Sequence, residues 1–462
     1  MTPGTAATRL QRRLAAFRAE HAAVIAHPVP ARPSTGGRSS ELAARLAAAI
    51  DADVVSSGLG TIVRRDVGSV PIAIDRARLA SLPGQPPADV PLVCLDTETT
   101  GLATAAGTMA FLIGLGRWEK GLFRVVQLIL PDQSDEPALL AALSAEIHPD
   151  AWLVTYNGRT FDWPLLVTRF RMAGKGPPAH AGHLDLLPLV RRVFRHRMAD
   201  ARLRSVESEL FGLVRHADVE GWEIPGRYLA FLRGESGALL ADIARHNDED
   251  VVSLARLLGH LEQRYGAPEE RAQAHQGDLA GLARAFARER RLDEALECVD
   301  AALDRAEAQP DPFGRERRRQ VHDDEPIRDG WWLPRRRPDF GGRVRVTGRL
   351  GSTVDDGGRL QDPWTRERIC VERARILRRL GRFEEAAAAW EAVAAAGGVR
   401  GVVAWIEVAK LREHRLGDLR GAYEAVRSGW RLAERNRTLG RPVPHVEANL
   451  AERGRRLRRR LG

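Results

Sequence analysis

The 462-residue sequence predicts an α/β domain built on a mixed sheet flanked by helices, followed by an all-α domain of paired helices. Three observations predict it. Strand-length apolar runs joined by short glycine turns crowd residues 90–130. Strands and amphipathic helices then alternate to about residue 265. Beyond residue 275 the composition turns to Ala, Arg and Glu, and three helical segments echo one another. A chain of this length exceeds what one hydrophobic core usually organises, which agrees with more than one domain.

Residues 1–88 read as an appendage between linkers. A short amphipathic basic helix near Arg9 to Glu20 precedes the stretch HPVPARPSTGGRSS, and a mixed segment ends in LPGQPPADVP. Residues 89–265 come next. VPLVCLD, MAFLIGLGRW and LFRVVQLIL are three strands whose short connections require antiparallel neighbours. A helix over 136–147, a strand over 151–155, a helix after Asp162 and several more helices, the last over 237–264, complete the region. Three meandering strands followed by β/α alternation are the order of the ribonuclease-H-like fold.

Residues 275–450 are expected to form the helical domain. In RERRLDEALECVDAAL, RLGRFEEAAAAWEAVAA and HRLGDLRGAYEAVRSGW an alanine recurs after the turn, at Ala295, Ala386 and Ala422. The last two lie 36 positions apart, close to the roughly 34-residue tetratricopeptide (TPR) period. Small residues at these points let paired helices approach closely. A Pro/Gly/Arg-rich insertion over 309–364 separates the first unit from the others and reads as a loop or disordered segment. Residues 451–462 form a basic tail.

Composition excludes some classes. No stretch approaches the roughly 20 uninterrupted apolar residues that a membrane span needs, and the N-terminus lacks a signal-type apolar core. A cytoplasmic protein with no membrane partner is the expectation. Cys94, Cys298 and Cys370 are odd in number and far apart, so neither a disulfide framework nor a zinc site is indicated. The net charge of +10 suits a polyanion partner. Lysine occurs only at Lys120, Lys175 and Lys410, however, and an Arg-for-Lys bias also follows from a GC-rich genome.

The chemistry sits in four carboxylates. Asp96 and Glu98 of LVCLDTETTG are two apart on a strand, so both project to one face. Asp96 can bridge two cations while Glu98 holds one; equally, DTETTG alone is compatible with two exposed acids at a strand end. Asp162 of VTYNGRTFDWPLL follows a turn at Asn157-Gly158 and starts a helix. In isolation it reads better as a helix cap or dipole partner. In ARHNDEDVVSL, helical spacing sets Ile243, His246, Asp250, Leu254 and Leu258 on one stripe and turns Asp248 and Glu249 elsewhere. A carboxylate on an apolar face is costly unless a cation or donor compensates, which selects Asp250 as the ligand. His246, one turn earlier, is placed to take a proton from an attacking water; the competing reading is a histidine at the core edge bonded to a backbone carbonyl.

As an ordered set, LDTETTGL, AAGTMAFLIGLGRW, QLILPDQSDEPALL, VTYNGRTFDWPLL, HLDLLPLVRRVFRHR and HNDEDVVSL resemble the DEDD (DnaQ-type) 3′–5′ exonuclease superfamily, and more closely its YprB-like bacterial branch. The resemblance covers about residues 90–262. It implies that Asp96, Glu98, Asp162 and Asp250 bind two Mg²⁺ or Mn²⁺ ions and that a nucleic acid, DNA or RNA, single-stranded or at a 3′ end, is hydrolysed to nucleoside 5′-monophosphates. His246 departs from the pattern. One branch has histidine five before the last aspartate and another has tyrosine four before it, whereas here histidine is four before Asp250.

Asp185 of HLDLLPL is a further acid, suited to orienting a helix or a ligand. Arg191, Arg192, Arg195 and Arg197 are candidates for phosphate contacts, with a solvated helix face as the competing reading. Thr97 and Asn157 are candidate substrate contacts, and Phe194 reads as core or as a stacking ring. The helical repeats suit a protein partner. A non-catalytic TPR adaptor, or a phosphoesterase acting on a small nucleotide, are the alternatives to the nuclease.

Overall fold

The computed structural model describes residues 36–101, 107–215, 218–308, 366–442 and 444–462. The helix expected near Arg9 to Glu20 and the insertion over 309–364 lie outside these residues. One seven-stranded sheet organises the α/β part. Its strands are β1 (Asp53–Ser57), β2 (Gly60–Val70), β3 (Leu92–Thr99), β4 (Ala110–Glu119), β5 (Leu122–Ile129), β6 (Trp152–Thr155) and β7 (Gly182–Asp185). They lie in the order β1-β2-β5-β4-β3-β6-β7. The pairs from β1 to β3 are antiparallel, and β3-β6 and β6-β7 are parallel.

The expected strands and helices of residues 89–265 form. The sheet is larger than expected, because β1 and β2 extend it by pairing β2 with β5. From Gly36 onward the supposed appendage therefore belongs to the α/β domain. Its first element, α1 (Gly36–Ile50), packs Leu42, Ala43, Leu46, Ala47 and Ile50 into the core. The reason it escapes a pattern reading is physical: β1 is exposed throughout and β2 is wet along most of its length, so neither has an apolar run.

Strand alternation divides the interior in two. On β3, Leu92 and Cys94 face one core and Val93 and Leu95 the other. The second core contains α1, α2 (Glu136–Glu146), α3 (Asp162–Met172) and α5 (Ile224–Leu232). The first contains α4 (Leu186–Val193) and most of the long α6 (Ala238–Gly266), and it runs without a break into the helical region. That region comprises α7 (Gln276–Arg288), α8 (Leu292–Ala308), α9 (Arg366–Arg379), α10 (Phe383–Ala395), α11 (Gly398–His414), α12 (Leu419–Thr438) and α13 (Pro444–Leu461), each packed on the next. Residues 451–461 of the expected basic tail are thus part of a helix. Ala295, Ala386 and Ala422 are each the fourth residue of their helix and are fully buried, so the echo in the sequence marks equivalent buried positions.

Candidate active site

Asp96 and Glu98 continue the Cys94 face of β3, beneath α6. Two glycines of β4 allow that helix to lie so near. A Cβ on Gly114 would strike Asn247 and lie 2.8 Å from Val251 Cγ2; one on Gly116 would lie 2.7 Å from Val251 Cγ1. Gly114 is the register partner of Asp96, so the close approach falls where the acids are. It brings Asn247 Nδ2 to 2.9 Å from Asp96 Oδ2. Fully buried Gln127 fixes Asn247 in turn, donating from Nε2 to its Oδ1 at 3.0 Å and to the Ala244 carbonyl at 2.6 Å. Arg65 of β2 donates to Gln127 Oε1 at 3.0 Å and to Asp248 Oδ2 at 2.9 Å. A relay of donors thus runs from β2 to Asp96.

Asp162 enters from the start of α3. The cap residue there is Phe161 and no side chain caps the helix, so the capping role does not apply. Asp162 Oδ1 instead accepts from Thr97 Oγ1 at 2.6 Å. Thr97 therefore acts on a carboxylate rather than as a free substrate contact. Asn157 adopts a left-handed turn (φ 68°), and its backbone N–H donates to Asp185 Oδ1 at 2.7 Å. Asp185 also accepts from Arg159 N and Leu187 N, capping α4 and holding the turn that precedes Asp162.

Glu98 is buried, while Asp96, Asp162 and Asp250 are half-buried and keep one side open to solvent. Burial pushes the Asp96 carboxyl well above its usual range, and the charges of Asp250, Glu98 and Asp162 push it further. Glu98 is raised in the same way, by burial and then by Asp250, Asp162 and Asp218. Burial also raises Asp162, against the opposing hydrogen bond from Thr97. The four acids are close enough to act on one another. They do not reach the tightest grouping, since among the described residues only His196, His275 and Asp278 bring three ligand atoms within 4.8 Å of one another. Asp96, Asp162 and Asp250 instead lean toward their own donors, Asn247, Thr97 and Arg215.

Arg215, Asp218 and Asn247 had no signal in the sequence. Arg215 is buried at 6% side-chain exposure, donates to both oxygens of Glu207 and lies 2.5 Å from Asp250 Oδ1. Asp218 Oδ1 lies 2.6 Å from His246 Nδ1. Burial opposes the ionisation of Asp218, but the bond to His246 and the charges of His246 and Arg215 outweigh it, and its carboxyl sits below the usual range. An ionised carboxylate at that distance makes Nδ1 the protonated nitrogen. When the ring is neutral Nε2 therefore carries the lone pair; it lies 3.9 Å from Glu98 Oε1 and 3.8 Å from Asp250 Oδ2. The backbone-carbonyl partner considered for His246 is replaced by Asp218.

The arginines divide. Arg192 faces Glu289 at 3.6 Å and Arg197 lies 2.8 Å from Asp278 Oδ2, both acids being in or beside α7. These two are drawn to the helical region by opposite charge and do not fit the phosphate role expected of them. His196 joins the same contact, 3.2 Å from Asp278 Oδ1 and stacked on His275. Arg191 and Arg195 are exposed. Phe194 is fully buried, as is Cys94.

A donor set made only of carboxylate oxygens suits hard divalent ions such as Mg²⁺ or Mn²⁺. Carboxylates that hinder one another's ionisation are the groups that gain from a shared cation. Asp96, Glu98, Asp162 and Asp250 could therefore hold such ions, with His246 beside them.

Comparison with known proteins bears on the fold of the central region. Residues 93–262 match the RNase H superfamily model RNase_H_2. The chain is also 33% identical over 221 residues to the uncharacterized protein YprB of Bacillus subtilis (strain 168), an overlap of 46% of this chain and 52% of that protein. It thus spans about half the length of the curated relative it matches. No described helix is long and apolar enough to cross a membrane. With its mixed seven-stranded sheet and flanking helices, the central region of this chain is a ribonuclease-H-like α/β domain, followed by an all-α region.

Proposed function

We propose that the ribonuclease-H-like domain is a metal-dependent 3′–5′ exonuclease acting on DNA or RNA. One observation carries the reading: Asp96, Glu98, Asp162 and Asp250, from a strand end and two helices, gather where their charges oppose the ionisation of Asp96 and Glu98. Such a cluster is costly unless a cation compensates it. Two Mg²⁺ or Mn²⁺ ions bound there supply water ionisation and stabilisation of the departing 3′-oxygen. Asn247 and Thr97 orient Asp96 and Asp162. Asp218 holds His246 with Nε2 toward the acids, where it accepts the proton of the attacking water. Release of a nucleoside 5′-monophosphate follows from attack at the terminal phosphodiester. Arg191 and Arg195 are the remaining candidates for phosphate contact, and the alanine-marked helix pairs are TPR-like and suit a protein partner.

The test is incubation of the purified chain with 5′-labelled single- and double-stranded DNA and RNA, with Mn²⁺ or EDTA. A ladder shortening from the 3′ end only with Mn²⁺ is expected. Asp96→Asn and Asp250→Asn should abolish it, and His246→Ala should slow it by about 100- to 10,000-fold. Undiminished cleavage by both aspartate variants overturns the proposal.

A further inference from the structure

The arginines of α13 fall into two sets. Arg453, Arg456 and Arg460 converge on the fully buried side chain of Glu413 in α11, at 2.7, 2.6 and 3.0 Å. One carboxylate neutralises one charge, so this anchor already leaves a positive excess. Arg455 and Arg458 belong to the other set. They are exposed, have no acidic partner among the described residues, and border a cleft between α12 and α13. Arg427 of α12, also exposed, stands on the same rim.

The cleft has a volume of about 300 Å³. Half-buried Tyr423 and Trp430 line it, and Gly454 leaves part of its wall without a side chain. Beside it the two helices approach closely at Gly429, where a Cβ would lie 3.0 Å from Leu450 Cδ2. Three guanidinium groups with no acidic partner among the described residues, beside two aromatic rings, form a basic rim with a stacking surface. That combination suits a flexible polyanion whose charges alternate with planar rings.

We propose that the α12–α13 cleft binds single-stranded nucleic acid, with phosphates on Arg427, Arg455 and Arg458 and a base against Tyr423 or Trp430. An acidic peptide would satisfy the arginines but leaves the aromatic surface without a planar partner. Choosing a nucleic acid over such a peptide rests in part on the nuclease reading of the central domain, whose polymer this cleft would hold at a second point.

Binding is therefore measured apart from cleavage. The full chain carrying Asp96→Asn is titrated in EDTA against a fluorescein-labelled 20-nucleotide single strand, followed by anisotropy at several salt concentrations. Arg455→Glu with Arg458→Glu is expected to weaken binding at least tenfold. The conservative pair Arg455→Gln with Arg458→Gln should lower the log–log salt slope by about 1.4, the value for two lost phosphate contacts. Trp430→Leu should weaken binding with the slope unchanged. The control is the same reversal at exposed Arg378 and Arg379 of α9, which should do neither. Equal loss in the control and cleft variants overturns the proposal. So does competition by polyglutamate as effective as that by an unlabelled strand of equal charge, which would identify an acidic-polypeptide surface. Because no step depends on hydrolysis, an inactive central domain would leave this result readable.

Discussion

At the scale of single residues, the defining feature is that Asp96 and Glu98 are held where ionisation is opposed. Burial and three neighbouring acids raise both, so the folded chain keeps protons that the unfolded chain has lost. Folded pKa values above the unfolded ones mean that stability falls as pH climbs from the ordinary carboxylate range through the raised folded values. In EDTA, the melting temperature of the native chain should decline as pH rises above the ordinary carboxylate range, and that of Asp96→Asn should decline less. At the upper end the variant should melt higher, by about 2–4 °C for each kcal/mol relieved. Mn²⁺ should raise the native chain and leave the variant nearly unmoved. Circular dichroism melts at each pH provide the check, and a native profile that is flat or rises in EDTA would contradict the account. Asp250 differs from these two in having Arg215 at 2.5 Å. An arginine in a loop has no periodic pattern to betray it, and its partner is 35 positions away.

Among the secondary elements, the site depends on how closely α6 crosses β4. The alternating glycines of MAFLIGLGRW are the cause, since side chains at Gly114 or Gly116 would collide with Asn247 or Val251. Gly114→Ala is expected to cost about 1–3 kcal/mol by overpacking and to reduce hydrolysis more than its stability loss explains, because Asn247 would be pushed from Asp96. Urea denaturation alongside the cleavage assay separates the two effects; a variant with native stability and native rate would show that the helix has room to spare. In the helical region the same logic works through Ala295, Ala386 and Ala422, each fully buried at the fourth position of its helix. Small residues there were legible as a repeat because close packing restricts residue type at fixed intervals.

For the molecule as a whole, residues 36–70 are structural. Ile62 and Val63 of β2 are buried, Arg65 ties that strand to Gln127 and Asp248, and α1 seals the second core. A chain truncated to begin at residue 89 should expose the edge of β5 and aggregate or unfold without cooperativity, whereas one beginning at residue 36 keeps α1, β1 and β2 and should melt cooperatively as a monomer. Size-exclusion chromatography and thermal melts distinguish these outcomes, and a monomeric, cooperative 89–462 chain would restore the appendage reading. The two regions are also joined, by one continuous core and by Arg192–Glu289 and Arg197–Asp278. The sequence by itself determined the α/β-then-α order, the strand runs and the recurring alanines, because buried strands and close helix contacts each admit few residue types, and it singled out the four acids that the fold gathers. Only the tertiary structure decided that β1 and β2 complete the sheet, that Arg192 and Arg197 face the helical region, and that Arg215, Asp218 and Asn247 attend the acids. Those are half-wet strands and single polar contacts between distant segments. Their specificity lies in a partner brought near by folding, and the linear chain does not display it.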